Sequence, residues 1–283
     1  MSPIPLAFIF GAVLVISSLG FKIAAVPFQL WAPDIYEGAP TPVTAYLAIA
    51  SKAAGFAAFI RLLLTVFSPI EPQLVLLFAV LSAMTIFYGN LGAIPQTNIK
   101  RLMGYSSIGH AGYLLMGLAA FGASGREAIL FYLFSYLFST VGIFLVLTAL
   151  SSRMKTDEIS ELAGLSKRSP LLAAAMLISL MSLAGVPPFS GFFGKFYLLW
   201  ASVQSGLLWL AVIGLLNVIT SLYYYLKIVK VIYVDEPANA TPLQVSMDQK
   251  AVQYFAMFGV VLLGIFQGPF VRIVQDAFIL LIR

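Results

Sequence analysis

The fold of this chain is decided by a stretch that reads Ser182-Leu-Ala-Gly-Val-Pro-Pro-Phe-Ser-Gly-Phe-Phe-Gly-Lys-Phe-Tyr-Leu-Leu-Trp200. It lies in the apolar run Leu171–Trp200, which as one helix would be about 45 Å long, too long for one straight span of a bilayer core of about 30 Å. The pair Pro187-Pro188 lacks two N–H groups and clashes with the preceding turn. The helix is therefore predicted to break within Gly185–Ser190. Lys195 follows this break, and a broken helix beside an ionisable side chain at membrane depth is typical of an ion pathway.

The composition is that of a membrane protein. Of 283 residues, 61% are hydrophobic and 10% are charged, whereas soluble domains carry about 25% charged residues. The net charge of +5 is expected from basic residues in cytoplasmic loops and does not indicate a nucleic-acid partner. The chain has no cysteine and one histidine, which excludes disulfides and thiolate ligands and argues against a metal site. We predict an all-α, polytopic protein with one membrane domain over residues 1–283.

The hydrophobic pattern predicts eight spans joined by short connections. They cover residues 4–26, 43–67, 72–94, 102–121, 127–150, 170–200, 207–234 and 251–281. The sixth is the broken span, and the pair Gly268-Pro269 offers a second break in the last one. The longest connection, Ser151–Ser169, has the spacing of a short interfacial helix.

Basic residues predict the orientation of the spans. The side reached after the odd-numbered spans carries Lys100, Arg101, Arg153, Lys155, Lys167, Arg168, Lys230 and Lys250. The opposite side carries Arg126, Arg283 and Arg61. The positive-inside rule makes the first side cytoplasmic and places both termini on the other side. Lys227 and Lys230, below the aromatic run Tyr223–Tyr225, are predicted to anchor the seventh span at the interface.

Two lysines lie within or near the first predicted spans. Lys52 lies about ten residues into its span, too deep to reach the interface easily, and a lysine there costs roughly 2.5–3.5 kcal/mol on insertion scales. It is therefore predicted to face a partner or a water-filled path. Lys22 lies near a span end, where it either reaches the interface or is held inside by a break at Pro27.

The single histidine, His110, lies inside the fourth predicted span. It is either a side chain hydrogen-bonded between helices or a proton relay, since imidazole titrates near neutrality and has two ring nitrogens. Hydroxyls accompany it on the fourth and fifth spans, and such groups are either packing contacts or members of a path. They are Tyr105, Ser106, Ser107, Tyr132, Ser135, Tyr136, Ser139 and Thr140.

The acidic residues avoid the middle of the spans. Asp34 and Glu37 lie in a proline-rich segment and are predicted to be solvated in a turn. The lysines inside the spans therefore lack an obvious counter-charge in this chain. Either the counter-charge lies on another segment or polypeptide, or the lysines are neutral for part of a cycle, and a lysine that can lose its proton can carry one.

Five motifs together resemble one family of membrane proteins. They are Phe21-Lys22, Trp31–Pro42, Ser51-Lys52, Lys100–Tyr113 and Leu183–Tyr197. The chain resembles the antiporter-like subunits N of proton-pumping NADH:quinone oxidoreductase (respiratory complex I, NDH-1), which have a counterpart in the chloroplast and cyanobacterial complex. The resemblance covers the C-terminal two-thirds of such subunits, as in a fragment, a split subunit or a shortened gene product. Their first helices, including one whose glutamate pairs with the Lys22 position, are expected to be missing here.

The resemblance implies an inverted-repeat fold. Residues 1–67 would end the first repeat, residues 72–234 would form the second, with its broken helix at 170–200, and residues 251–283 would be a C-terminal helix. The resemblance also implies the site residues. Lys22 and Lys195 would be the broken-helix lysines, Lys52 the connecting lysine and His110 part of the central polar axis.

The implied function is proton translocation as a subunit of a redox-driven translocase. The chain itself has no motif for NADH, flavin or iron–sulfur binding. NAD(H) or ferredoxin, FMN, iron–sulfur clusters and quinone are therefore expected in partner subunits, and sister antiporter-like subunits and lipid are expected as neighbours. The membrane would be a bacterial inner membrane or a thylakoid. An independent cation/proton antiporter subunit and a structural scaffold with inactive lysines are the alternatives.

Overall fold

A computed structural model describes residues 5–151, 154, 156–237 and 241–282 of the chain. Within these residues the backbone forms helices and one isolated antiparallel bridge, between Asn98 and Glu158. The helices are α1 (Leu6–Ile23), α2 (Trp31–Gly38), α3 (Thr41–Tyr46), α4 (Lys52–Thr65), α5 (Glu71–Ala93), α6 (Ile99–Ala119), α7 (Ala123–Leu150), α8 (Leu165–Arg168), α9 (Pro170–Ala184), α10 (Ser190–Gln204), α11 (Leu208–Tyr233), α12 (Met247–Ile265) and α13 (Gln267–Ile282). A π-helical segment, Leu47–Ser51, joins α3 to α4.

Among the residues that the structure describes, five helical segments are long and apolar enough to cross a membrane, and a bent pair makes a sixth. The five are Leu6–Ile23, Thr41–Thr65, Ser68–Ala93, Ala123–Leu150 and Leu208–Tyr233, and the pair is Met247–Ile265 with Gln267–Ile273. The chain is an all-helical polytopic membrane protein, as predicted. The fourth and sixth predicted spans correspond to α6 and to the pair α9 and α10, and each of the other six to one of these segments.

Local sequence explains where several helices begin. Asn98 caps α6, since its side chain accepts a hydrogen bond from the Arg101 N–H at 3.0 Å. Ser246 and Gln249 form a capping box at the start of α12. Proline occupies the first turn of α5 and of α9, where its missing N–H costs nothing.

The break predicted within Gly185–Ser190 is present. Helix α9 ends at Ala184, Gly185 adopts a left-handed conformation with φ of 86°, and α10 begins at Ser190. The N–H groups of Gly185 and Val186 return to the carbonyls of Ser182 and Met181, at 2.9 and 3.0 Å. This is a Schellman cap, in which the glycine avoids the Cβ clash of a left-handed residue.

The first span is also interrupted near Pro27, but the break does not hold Lys22 inside, since that side chain is exposed. Helix α1 ends at Ile23, and Ala24 takes the left-handed conformation with φ of 59°. The chain resumes as α2 at Trp31. Each break contains one cis X–Pro peptide bond, Val26–Pro27 in the first and Pro187–Pro188 in the second.

Helix α6 lies at the centre of the bundle, against α2, α5, α7 and α10. Nearly all of its residues are buried, so it needs no continuous apolar face toward lipid. It approaches α5 closely at Gly89 and Gly109, where a Cβ on Gly89 would overlap the Gly109 backbone. This close contact lets the polar side chains of α6 face neighbouring helices on several sides.

Three local predictions were wrong. Asp34 and Glu37 lie in helix α2, and both pair with Arg101, at 2.6 and 2.8 Å. In the described part of the connection Ser151–Ser169, residues 154 and 156–169, two short helices replace the predicted single one, because Gly164 has φ of 60° and separates Ile159–Leu162 from α8. The last break lies at Phe266, and Gly268-Pro269 lies in the first turn of α13, where proline is tolerated. Arg153, Lys155 and Arg283 of the orientation argument lie outside the described residues.

Candidate functional site

Lys52 lies in the core, 2% exposed, at the first position of α4 after the π-helical segment. Its Nζ donates hydrogen bonds to the carbonyl oxygens of Ser107, at 2.7 Å, and Ile23, at 3.2 Å. Ile23 is the last residue of α1, so its carbonyl has no partner within its own helix. The partial negative charge of that helix end favours a cation there.

Lys195 has an equivalent position at the second break. It is 3% exposed, and its Nζ donates to the carbonyl of Ala184 at 3.1 Å and to Ser221 Oγ at 3.4 Å. Ala184 is the last residue of α9. The ammonium also lies 5.0 Å from the centre of the Tyr113 ring, a distance at which the ring face attracts a cation.

These contacts give each of the two buried lysines polar partners within this chain. In the part of the chain that the structure describes, no carboxylate pairs with Lys52 or Lys195. The terminal carbonyl of a half-helix serves each ammonium instead. The sequence could not predict this pairing of lysines with carbonyls, because the pairing depends on which helix end packs against which lysine.

His110 is 3% exposed and uses both ring nitrogens. Nδ1 lies 2.5 Å from the Tyr132 hydroxyl, and Nε2 lies 3.0 Å from the Tyr225 hydroxyl. In a neutral imidazole one nitrogen donates and the other accepts, so a proton can enter at one tyrosine and leave at the other. The Tyr225 hydroxyl is also hydrogen-bonded to Ser106 Oγ, at 2.5 Å.

Ser107 connects Lys52 to the histidine. Its carbonyl accepts from Lys52, and its Oγ lies 3.0 Å from the Tyr36 hydroxyl and 3.3 Å from that of Tyr136. The Tyr136 ring is centred 5.1 Å from the His110 ring. On the other side of His110, Tyr113 lies one helical turn along α6 and faces Lys195. The structure thus brings Lys52, His110 and Lys195 into one buried polar axis, which we call the lysine–histidine axis.

Lys22 is not part of that axis. It lies in the last turn of α1 with an exposed side chain, beside Gly55 of α4. Its role as the lysine of the first broken helix therefore stays a prediction.

Sequence reasoning missed the part played by α11. The run Tyr223–Tyr225 was interpreted as an interfacial belt, but only Tyr223 is exposed. Tyr225 contacts His110, and the Tyr224 hydroxyl donates to Asn90 Oδ1 at 3.1 Å. The helical spacing of Ser221, Tyr225 and Ile228, all buried, was the available signal.

The described residues contain no group of three or more His, Cys, Asp or Glu side chains that could hold a metal ion. The site consists instead of amines, an imidazole, hydroxyls and carbonyl oxygens. These groups can exchange and pass protons.

Comparisons with known proteins place these features in a family context. Residues 4–221 match the family model described as NADH:quinone oxidoreductase/Mrp antiporter, TM. The chain is 46% identical over 269 residues to NADH-quinone oxidoreductase subunit N of Desulforamulus reducens, covering 95% of this chain and 56% of the relative. It therefore spans little more than half the length of that relative.

Two solved structures have the same fold. A chain of respiratory complex I from Thermus thermophilus superposes with a TM-score of 0.83 at 32% identity, covering 96% of this chain and 60% of that one. A chain of the Mrp complex from Dietzia sp. DQ12-45-1b superposes with a TM-score of 0.88 at 24% identity, covering 95% and 59%. At that identity the second likeness shows the fold alone.

Proposed function

Because the chain belongs to the NADH:quinone oxidoreductase/Mrp antiporter transmembrane family, we propose that it is a proton-translocating membrane subunit of an NADH:quinone oxidoreductase. The observation that supports this most directly is the lysine–histidine axis, in which two buried lysines lie on either side of a histidine bonded at both nitrogens. A scaffold gains nothing from two buried ammonium groups, since apolar side chains would pack there without the cost of desolvation.

The chemistry of the axis favours protons over sodium. Sodium needs several converging oxygen ligands, but the carbonyl oxygens of Ile23, Ser107 and Ala184 already accept from ammonium groups. When protonated, the two lysines would also repel a metal cation. Amines and imidazole bind and release protons directly. This argues against the sodium/proton antiporter alternative.

Within the proposed mechanism, each charged lysine acts on the others through space. A proton on Lys52 repels a proton on His110 or Lys195, and the repulsion is strong because buried charges are weakly screened. Uptake at one end of the axis therefore favours release at the other. Tyrosine and serine hydroxyls, with water, would carry protons between these groups. Lys22 would extend the axis toward the helices that longer relatives carry.

The redox chemistry would take place in partner subunits. These would hold the site for NAD(H) or ferredoxin together with FMN, iron–sulfur clusters and quinone, and sister antiporter-like subunits would lie beside this chain. The membrane would be a bacterial inner membrane or a thylakoid, with both termini on the non-cytoplasmic side. The basis for these expectations is family membership and the asymmetry of basic residues.

The test is proton uptake into vesicles that contain the whole complex, with assembly checked on native gels. Lys52→Met and Lys195→Met should assemble and should each lower proton translocation and the coupled electron transfer at least about a hundredfold, the loss typical of a removed acid–base group. Lys227→Met is the matched control, because Lys227 is exposed on α11, and it should pump like the parent. If both buried-lysine variants assemble and pump normally, the scaffold alternative is correct.

A further inference from the structure

A row of buried serines lies beside the second break, outside the lysine–histidine axis. Ser135 Oγ donates to Ser190 Oγ at 2.8 Å, and Ser139 Oγ donates to Ser182 Oγ at 2.8 Å. Ser182 Oγ and Ser190 Oγ are 3.3 Å apart, which joins the two pairs. All four side chains are at most 1% exposed. We call these residues the serine row; it ends at the first residue of α10, the helix that carries Lys195.

One turn before Ser182 on α9, Ser179 points its hydroxyl into the space that Gly142 of α7 leaves free of side chain. The side chain is fully buried, and its Oγ has no hydrogen-bond partner within the described residues. On the same stretch of α7, Gln253 of α12 donates to the Gly142 carbonyl at 3.1 Å while 1% exposed. A buried hydroxyl without a protein partner is destabilising, and ordered water commonly satisfies such a group.

The polar groups continue from Gln253 toward the surface. Lys250 lies one turn earlier on α12, about 4.5 Å along the helix axis. It lines an open cavity of about 500 Å³ together with Arg168 and Ser169 at the start of α9. Lys250 and Arg168 line this cavity, and a proton can cross it by exchange between water and hydroxyl groups.

We propose that a hydrated branch runs from this cavity past Gln253 and Ser179 to the serine row, and that it connects Lys195 with the membrane face at which α9 and α12 begin. Each hydroxyl would accept a proton from the water on one side and release its own proton on the other. The role in proton supply rests on the proposed function, but the presence of water in the branch does not.

Silver-ion accessibility tests the branch, since Ag⁺ moves through narrow water-filled paths and reacts with thiols. The chain has no native cysteine, so Ser139→Cys and Ser179→Cys report on single positions in the intact membrane complex. After exposure to silver nitrate in chloride-free buffer, the protein is denatured and its remaining thiol is alkylated with a fluorescent maleimide. The fluorescence of this subunit's gel band then measures the reaction.

Two control positions are as deeply buried but lie outside the branch. Ser82 of α5 already donates to the Gly112 carbonyl at 2.7 Å, and Ala175 lies one turn from Ser179 among apolar side chains. Ser139→Cys and Ser179→Cys should react at least about tenfold faster than Ser82→Cys and Ala175→Cys, because water enters polar cavities and not packed apolar ones. Equal rates at all four positions would overturn the proposal.

A blocking variant tests the route. Adding Gln253→Leu, of similar size but apolar, should slow the reaction of Ser139→Cys at least about fivefold and should lower proton uptake. An unchanged rate at Ser139→Cys would show that water arrives from elsewhere, and the route would be wrong. If Lys195→Met pumps normally while Ser179→Cys still reacts fast, the proposed function fails and the hydrated branch remains. If Lys195→Met stops pumping while Ser179→Cys reacts like the controls, the branch fails and the function remains.

Discussion

In both broken spans the first half-helix ends with a Schellman cap. Ala24 and Gly185 occupy the left-handed position, and the proline of a cis X–Pro bond follows three residues later in each break. The lysines differ in position, because Lys22 precedes the first break and Lys195 follows the second. The Lys22 side chain is exposed, whereas that of Lys195 is buried.

The first break nevertheless has a buried lysine, which comes from the next span. Lys52 reaches the carbonyl of Ile23 much as Lys195 reaches that of Ala184. The element common to the two breaks is therefore a terminal carbonyl that holds an ammonium. The lysine occupies a different sequence position relative to each break, but in both cases its Nζ reaches that carbonyl.

Arginine substitution gives the sharpest test of this equivalence. Lys52→Arg and Lys195→Arg keep a positive charge and hydrogen-bond donors at the carbonyl, but a guanidinium does not release its proton in proteins. Each should assemble and should lower proton uptake at least about a hundredfold. Proton uptake by vesicles containing the complex is the measurement. Normal pumping by one variant but not the other would show that the two breaks have different roles.

The left-handed caps provide the next test. Gly185→Ala places a Cβ in a left-handed residue, which costs roughly 1–2 kcal/mol, and that Cβ would lie 3.1 Å from Lys195 Cδ. Ala24→Gly removes the same penalty and should stabilise the first break by about 1 kcal/mol. The unfolding temperature of the purified complex, followed through loss of this subunit, should fall for Gly185→Ala and rise for Ala24→Gly. Shifts in the same direction would mean that the caps are not equivalent.

The second half of each broken span is held differently, which permits a smaller test. Helix α2 is tied to α6 by Arg101 through Asp34 and Glu37, whereas α10 is held by burial. Arg101→Gln should lower stability by up to about 1 kcal/mol, the range for partly exposed pairs. Lys167→Gln, which breaks the more exposed pair with Glu236, is the control and should have almost no effect. An Arg101→Gln variant as stable as that control would show that α2 is positioned without its ion pairs.

The predicted inverted repeats would place the entrances of the two breaks on opposite sides of the membrane, and cysteine labelling tests this. Ser124→Cys and Lys167→Cys lie near opposite ends of α7. A membrane-impermeant maleimide should label position 167 only from the cytoplasmic side and position 124 only from the other side. Labelling of both from the same side would contradict the orientation and the inverted relation of the two breaks.

The sequence predicted those features that depend on local chemistry. Pro187-Pro188 in an overlong apolar run predicted the second break, and Lys52 and His110 attracted attention because ionisable groups are costly inside a span. The wrong predictions concern residues whose contact partners lie far away in the sequence. Asp34 is exposed, as expected, but it lies in a helix and pairs with Arg101, 67 residues later, which the sequence could not identify as its partner.

The same reason explains the error on α11 and why the carbonyl partners of the two lysines could not be predicted. Tyr225 meets His110 across 115 residues, and Lys52 meets Ile23 across 29. A tyrosine next to a lysine near a span end resembles an interfacial anchor unless the packing of its neighbours is known. The serines beside the second break could likewise be named as hydroxyls, but their connection to Ser190 and Ser179 required the fold.

The carbonyl contacts of the two lysines have an electrical consequence. A carboxylate counter-ion would be left as a bare negative charge after the lysine gave up its proton, and it could take that proton back. A helix-end carbonyl is a fixed dipole that does not titrate, so under the proposed function each of these two sites would alternate between one positive charge and none. The two lysines would then act on each other only as positive charges, and a protonated lysine would disfavour protonation of the other through repulsion. Within the described residues, neither lysine would have to leave a carboxylate partner when it loses its proton.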